Sequence, residues 1–515
     1  MTTSNPPTTP PQLVPGAGLV PGGTLRSAAL WSLVLSGGRR VTTTLVTFVL
    51  AGLLGPRDFG TVAVATIIVL LLQLLFQQGF MPALVQTAQL DDEASNAVFR
   101  VIAFGSLGMV LGAWTLSPLA SAAFNDSRLT VVIRALALLL PLQAAGLVQE
   151  AHLRRAMAFR PLAVRTNLAV LLGGAAGIVL AVGGAGVWAL VVQQLLTGAV
   201  STVLVWRASP WRPRLHLPRW WDRPAVRPLL RFAGGASLAA TIQFLGSQVD
   251  SLLVGAFFGL AAVGVYRLAS RLVETVLDLS LRALQPALLA DLARVVNDRD
   301  LLAQRVLRVQ RLCCTAGLPL LGLLAGFAPV IVRSLGPRWH GAALAVILLA
   351  SAGLGTVVVA VVTPALQAVA RPALLAKLSL VNTLLVATGV TGTCALARGF
   401  TSPQQVDLVA LSRIPLGLAT VILSLAVLRW ATDIRAIAIL RASAPGLVTA
   451  FAVTSAMLLT ESLFAGVHVW ILFISVGSVG VLTGVLAVLL MDRASLTVLV
   501  GRGRAARADG RVQHG

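Results

Sequence analysis

Residues 264–289 read GVYRLASRLVETVLDLSLRALQPALL. The segment is apolar enough to lie in a bilayer, yet it carries Arg267, Arg271, Glu274, Asp278 and Arg282. At about 100° per residue these five fall within roughly 80° of arc on one side of a helix. Leu268, Leu272, Val273, Val276, Leu277 and Leu284 cover the rest. A charge near the bilayer centre costs several kcal/mol, so ionisable groups there normally face a bundle interior or a watery cavity. Five on one face predict a polar lumen. A second reading stands beside it: Arg271 with Glu274 and Asp278 with Arg282 are spaced i,i+3 and i,i+4 and neutralise each other, while Arg267 and Arg282 snorkel to the two interfaces.

The rest of the chain has the composition of an integral membrane protein, 57% hydrophobic and 11% charged, with mean hydropathy +0.89. Arg and Lys outnumber Asp and Glu by 40 to 18, but the excess gathers between apolar windows, as the positive-inside rule expects. No basic module stands apart from the spans, so no nucleic-acid partner is expected. Cys313, Cys314 and Cys394 sit in apolar segments with no His or Cys at ligand spacing. They read as core residues, with neither a disulfide framework nor a metal site.

About fourteen windows are long enough to cross the hydrocarbon as helices. The expected organisation is all-α: a disordered tail (1–24), a six-helix bundle (25–206), a basic cytoplasmic linker (207–230), a second six-helix bundle (231–430), two extra helices (431–492) and a basic cytoplasmic tail (493–515). Roughly 29 basic residues fall on one side, among them Arg154, Arg155, Arg160 and Arg165, against about six on the other. Both termini are therefore expected in the cytoplasm. The halves also repeat. Gly55-x4-Gly60 followed by Pro82-Ala83-Leu84 recurs as Gly259-x4-Gly264 followed by Pro286-Ala287-Leu288, each position displaced by 204 residues (259 minus 55, 288 minus 84). A parallel repeat of this kind commonly encloses a transport site.

No catalytic constellation is present: the five histidines are scattered, and no GxxxxGK[ST] phosphate loop occurs. An enzyme is not expected, and no cofactor is implied. The embedded ionisable groups are the functional candidates. Arg39 and Arg40 in span one, with Arg267 and Arg271, suit a phosphate group, which a guanidinium binds bidentately; the alternative for the first pair is pairing with Asp250, Glu274 or Asp278 across the bundle. Those three acids are candidates for ion coupling or charge balance, because a carboxyl in a low-dielectric cavity loads and unloads near neutral pH. Asp250 is equally a candidate fixed counter-ion to an arginine. Gln73 and Gln77 in span two suit sugar hydroxyls, or simply bond a neighbouring helix.

The run ALWSLVLSGGRRVTTTLVTFVLAGLLGPRDFGTVAVATIIVLLLQLLFQQGFMPALVQ resembles the opening of bacterial polysaccharide and O-antigen exporters. These are oligosaccharide flippases of the superfamily that also holds multidrug extruders and the lipid II flippase. VDSLLVGAFFGLAAVGVYRLASRLVETVLDLSLRALQPAL resembles their second-half pattern, and LGPRWHGAA fits their L-G-x-x-W piece. The resemblance implies two six-helix bundles around a central cavity. It implies transfer of undecaprenyl-diphosphate-linked oligosaccharide from inner to outer leaflet, by alternating access driven by an ion gradient or membrane potential. It implies the bacterial plasma membrane, membrane lipids around a monomer, and glycosyltransferases and a polymerase of the same pathway as partners. A multidrug or cation antiporter, a lipid II flippase and a non-transport component of polysaccharide assembly are the alternatives. The excess of embedded arginine over acid favours an anionic lipid over a cationic drug.

Overall fold

The computed structural model describes residues 39–77, 79–86, 92–213, 226–282, 285–339, 341–369, 372–464 and 469–491. The expected N-terminal and C-terminal tails and half of the basic linker (214–225) lie outside these residues, as do the side chains of Arg39, Arg40 and Arg282. The described chain is helical, with no strand among the described residues. This is what a bilayer demands, because a helix satisfies its backbone polar groups within one segment.

In chain order the first half holds α1 (Arg39–Leu53), α2 (Pro56–Phe76), α3 (Phe80–Gln86), α4 (Asp92–Phe124), α5 (Arg128–Ala137), α6 (Leu139–Arg155), α7 (Phe159–Val182) and α8 (Val187–Ala208). The second half holds α9 (Val226–Phe258), α10 (Leu260–Leu277), α11 (Gln285–Ala293), α12 (Arg299–Leu335), α13 (Ala342–Val358), α14 (Val362–Ala368), α15 (Pro372–Leu396) and α16 (Ser402–Thr432); α17 (Ala436–Leu463) and α18 (Val469–Met491) follow. Among the described residues, ten helices or helix pairs are long and apolar enough to cross a membrane. Val179, Ile422, Phe451 and Ile474 are each at least 70% exposed, a surface that only hydrocarbon satisfies. The protein is a multi-pass membrane protein. The charged helix α10 is not among the ten, since its arginines and glutamate lower its hydropathy.

The two halves meet where α2 crosses α10. A Cβ on Gly60 would run into the Leu260 carbonyl, and one on Gly264 into the Pro56 carbonyl. These contacts are images of each other under the 204-residue displacement, because 264 minus 60 and 260 minus 56 both equal 204. The same relation governs the flanks. The buried Trp339 indole donates to the Ala51 carbonyl at 2.7 Å and meets Phe59 edge-on at 5.6 Å. Phe124 in turn lies against Gly255, which is Ala51 plus 204, at 2.6 Å from where a Cβ would stand. Small residues at a helix crossing let backbones approach this closely. Arg57 also ties α2 to Asp126, 2.8 Å away at the end of α4.

The repeat copies sequence without copying every turn. Gly259, before α10, takes φ +82°, which favours glycine, whereas Gly55, before α2, has φ −89° and leads into Pro56 at the first helical turn. Both halves interrupt the second helix at matching places. α2 ends at Phe76 and α3 begins at Phe80, with the Gly79 N–H donating to Ser237 Oγ at 2.8 Å. In the second half a π-helical segment, Asp278–Arg282, follows α10. The helix expected to run unbroken over 264–289 is therefore interrupted: α10 ends at Leu277, where the Asp278 N–H still bonds the Glu274 carbonyl, and the wider π turn follows.

α17 docks on α12 through a second small-residue seam. Gly322 and Gly326, four apart on α12, face Ala450 and Met457, and Gly446 faces the Cys314 backbone. Thr454 Oγ1 donates to the Gly322 carbonyl at 3.0 Å, and Arg333 pairs with Glu461 at 2.6 Å.

Gly60→Ala and Gly264→Ala are each expected to lower the melting temperature of the purified protein by several degrees, overpacking in a close-packed interface costing about 1–3 kcal/mol. Gly52→Ala, at a site with nothing within 4 Å of the added carbon, is the matched control and is expected to melt like the parent. Equal melting of all three would remove the crossing as a determinant of stability.

Candidate binding cavity

Beyond the α2–α10 crossing the halves part around a cavity of about 820 Å³. α2 and α6 both lead away from the Arg57–Asp126 tie. α6 then carries Glu150 on the order of 30 Å beyond it, at 1.5 Å rise per residue. Most of the wall belongs to the first half, from α1, α2, α6, α7 and α8; the second half supplies Phe244 and Gln248 of α9 and Arg267, Leu268, Arg271 and Glu274 of α10.

Five of the sequence-predicted residues line this cavity: Arg267, Arg271, Glu274, Gln73 and Gln77. Arg267 donates from Nη1 to Gln248 Oε1 at 2.9 Å and lies 3.7 Å from Glu274. Their side chains are 20% and 40% exposed, so the pair is loose and screened and both groups remain available to a ligand. Gln73 bonds Gln143 across α2 and α6. Gln77 donates to the Leu140 carbonyl at 3.0 Å while its Oε1 is buried without a partner among the described residues. Gln194 and Thr66 bond each other, and Gln193 packs its Cβ and Cγ against Gly177. Six glutamines (Gln73, Gln77, Gln143, Gln193, Gln194 and Gln248) thus line one space.

Asp250 and Asp278 are not among the lining residues. Asp250 accepts from the Tyr266 hydroxyl at 2.8 Å and from the Ser251 N–H at 2.7 Å. Arg413 is close enough to act electrostatically on the same tyrosine. Both Asp250 oxygens are therefore engaged, the geometry of a fixed acceptor. Arg39 and Arg40 stand in the first turn of α1.

Sequence reading missed a second charged group in the wall. Glu150 and Arg154 of α6 and Arg165 of α7 all line the cavity. Arg154 reaches Glu150 Oε1 from Nε at 3.0 Å and Nη2 at 2.7 Å, and Arg165 Nη2 reaches Oε2 at 2.9 Å. In the sequence both arginines fall among the basic residues between apolar windows. The available signal was Glu150 itself, an acid four residues before Arg154 at the end of an apolar span.

A family profile described as "Polysaccharide biosynthesis protein" matches residues 49–344, more than half of the chain. The chain belongs to this polysaccharide biosynthesis protein family. Among individual relatives it is similar to the succinoglycan biosynthesis transport protein ExoT of Rhizobium meliloti (strain 1021), with 26% identity over 310 residues, covering 60% of this chain and 62% of that protein. It is also similar to the lipopolysaccharide biosynthesis protein WzxC of Escherichia coli (strain K12), with 24% identity over 59% of this chain and 62% of that protein. The matched stretch spans less than two thirds of either relative. In fold it is similar to the lipid II flippase MurJ in an inward closed conformation, with TM-score 0.67, 12% identity, and coverage of 92% of this chain and 100% of that one. An inward-facing multidrug resistance MATE transporter of the MOP superfamily follows with TM-score 0.58 and 14% identity, over 76% of this chain and 96% of that one.

The native cysteines are buried and give a quiet background for labelling. Gln193→Cys and Glu274→Cys are expected to react with a charged, water-soluble maleimide, while Tyr266→Cys, at a position 1% exposed, is expected to stay unlabelled until the protein is denatured. Equal labelling at all three would contradict the cavity wall described above.

Proposed function

We propose that this protein is a flippase that moves undecaprenyl-diphosphate-linked oligosaccharide from the inner to the outer leaflet of the bacterial plasma membrane during cell-surface polysaccharide synthesis. The observation that carries the reading is the chemistry of the cavity wall. Four arginines (Arg154, Arg165, Arg267 and Arg271) face two glutamates (Glu150 and Glu274), four minus two leaving a net charge of +2. That balance suits a diphosphate and repels a cationic drug. Guanidinium forks match phosphate oxygens bidentately, and the glutamine amides supply neutral donors and acceptors for sugar hydroxyls. Arg39 and Arg40 extend the arginine set on sequence grounds.

The direction of transfer follows from the loop charges. With the arginine-rich loops in the cytoplasm, both termini lie inside and the Gly60–Gly264 crossing closes the outer side of the cavity. The lipid-linked substrate then binds from the inner leaflet and leaves when the crossing opens. Glu274 is the coupling acid in this reading, because among the three predicted carboxylates it alone lines the cavity. Asp250 serves as the fixed acceptor of Tyr266, and Asp278 balances charge beside the π turn. The protein works as a monomer beside the glycosyltransferases and polymerase that make and extend its substrate.

Expression in a host lacking its own oligosaccharide flippase is expected to restore surface polymer, and Arg267→Ala or Arg271→Ala to reduce it by about tenfold or more, the loss of one charged hydrogen bond, at wild-type membrane levels. Wild-type polymer in both variants would remove the arginine wall from substrate binding. In proteoliposomes Glu274→Gln is expected to abolish the response of transport to a proton or sodium gradient; an unchanged response would exclude Glu274 as the coupling group.

A further inference from the structure

Glu150, Arg154 and Arg165 sit where α6 ends and α7 begins, at the end of the cavity remote from the α2–α10 crossing. The carboxylate divides its oxygens: Oε1 takes the fork of Arg154 and Oε2 takes Arg165. The three side chains differ in exposure, at 18% for Glu150, 40% for Arg154 and 13% for Arg165. Arg165 is not fully satisfied, since its Nε is buried and has no hydrogen-bond partner among the described residues. Among the described residues, one carboxylate therefore answers two guanidinium groups, leaving the cluster with one net positive charge and one buried donor unanswered.

We propose that this cluster is a phosphate-binding site whose resident counter-ion is Glu150, an internal anion that an incoming diphosphate displaces. The inference rests on the diphosphate reading of the cavity and adds to it a defined phosphate subsite in the same wall, at the end remote from the crossing. A diphosphate joining lipid to sugar offers four non-bridging oxygens where Glu150 offers two, so it has acceptors for both guanidinium groups, the Arg165 Nε included. Glu150 has a separate task. Without it, two arginines on adjoining helices would repel each other when the cavity is empty. With it, the helix ends stay together between transport cycles, and a bound diphosphate leaves against a competitor that is always at hand. Bound substrate and Glu150 thus exchange places on the same two arginines, and no proton or covalent bond is involved.

The test is the sign of the effect at Glu150. Binding of farnesyl diphosphate to the full chain in nanodiscs is followed by tryptophan fluorescence, since Trp211 stacks on His152 at 5.3 Å and Trp206 donates to the Ala145 carbonyl, both on α6. Arg165→Gln is expected to weaken binding about tenfold or more, the equivalent of a charge-assisted hydrogen bond, and Arg165→Lys to recover part of the loss. Glu150→Gln is expected to tighten binding several-fold. A carboxylate that merely positions the arginines gives weaker binding when neutralised, so weaker or unchanged binding in a normally melting Glu150→Gln overturns the proposal. Should that variant melt lower, Glu150→Asp decides: its shorter reach loosens the hold on the arginines, so tighter binding supports the proposal and unchanged binding overturns it. Inorganic pyrophosphate competing with the probe supports a site that reads phosphate, whereas competition by phosphatidylglycerol and not by pyrophosphate overturns it in favour of a bulk lipid headgroup. The two readings fail separately. Tighter binding in Glu150→Gln without restoration of surface polymer by the wild type removes the transport function and leaves the site; restored polymer with unchanged binding in Glu150→Gln and Arg165→Gln removes the site and leaves the function.

Discussion

Two carbonyl groups, those of Pro56 and Leu260, lie against two glycines, Gly264 and Gly60, and no larger residue fits between them. The placement of the cavity depends on this contact. Helix association in lipid has little hydrophobic drive, because the tails are as apolar as the side chains. Close backbone approach and dispersion must hold the halves together instead. The crossing concentrates that contact in one place, flanked by the Trp339–Ala51 and Phe124–Gly255 packings. It leaves the remainder of α2 and α10 free to diverge, and the cavity occupies the space where they do. A tight crossing at one end and a polar chamber beyond it follow from the same pair of helices.

The chamber is asymmetric although the fold is a repeat. α10 brings arginine and glutamate to the wall, and α2, its counterpart, brings glutamine. The two kinds of group do different work for a ligand that is charged at one part and neutral elsewhere. Arginines bind through charge and bidentate geometry, which survive partial hydration. Amides bind through donor and acceptor matching, which matters most where water is excluded. The first-half wall carries most of the amides together with the Glu150 cluster, so the halves share a backbone plan and divide the recognition chemistry.

The interrupted helices give that asymmetry a mechanical setting. The break between α2 and α3 and the π turn after α10 fall at repeat-related positions, and both lie past the crossing on the cavity side. Arg155 donates to the carbonyls of Leu84 and Val85 near the end of α3, and Arg154, its neighbour, faces the cavity. The short segment α3 is thereby tied to the helix that carries the second arginine cluster. Cavity charge and helix position meet at one place on the first half.

By itself the sequence determined the class of solvent, the helical character, the repeat and half of the polar wall. These follow from local physics: apolar length sets which segments enter lipid, a 204-residue displacement of glycines and prolines marks two copies of one plan, and a charged residue inside an apolar run has few places to face. Arg267, Arg271, Glu274 and Gln73 were legible for that reason. Tertiary structure alone decided the rest. The role of Gly60 and Gly264 emerged only when each met the other half's backbone, a contact between residues some 204 positions apart. The π turn after α10 appeared only in the structure, because helical hydrogen bonding is set by packing as well as by period. Asp250 turned out to be held by Tyr266, and Glu150 gathered Arg154 and Arg165 from two helices. A sequence shows which residues carry charge; it is the fold that brings two arginines to one carboxylate.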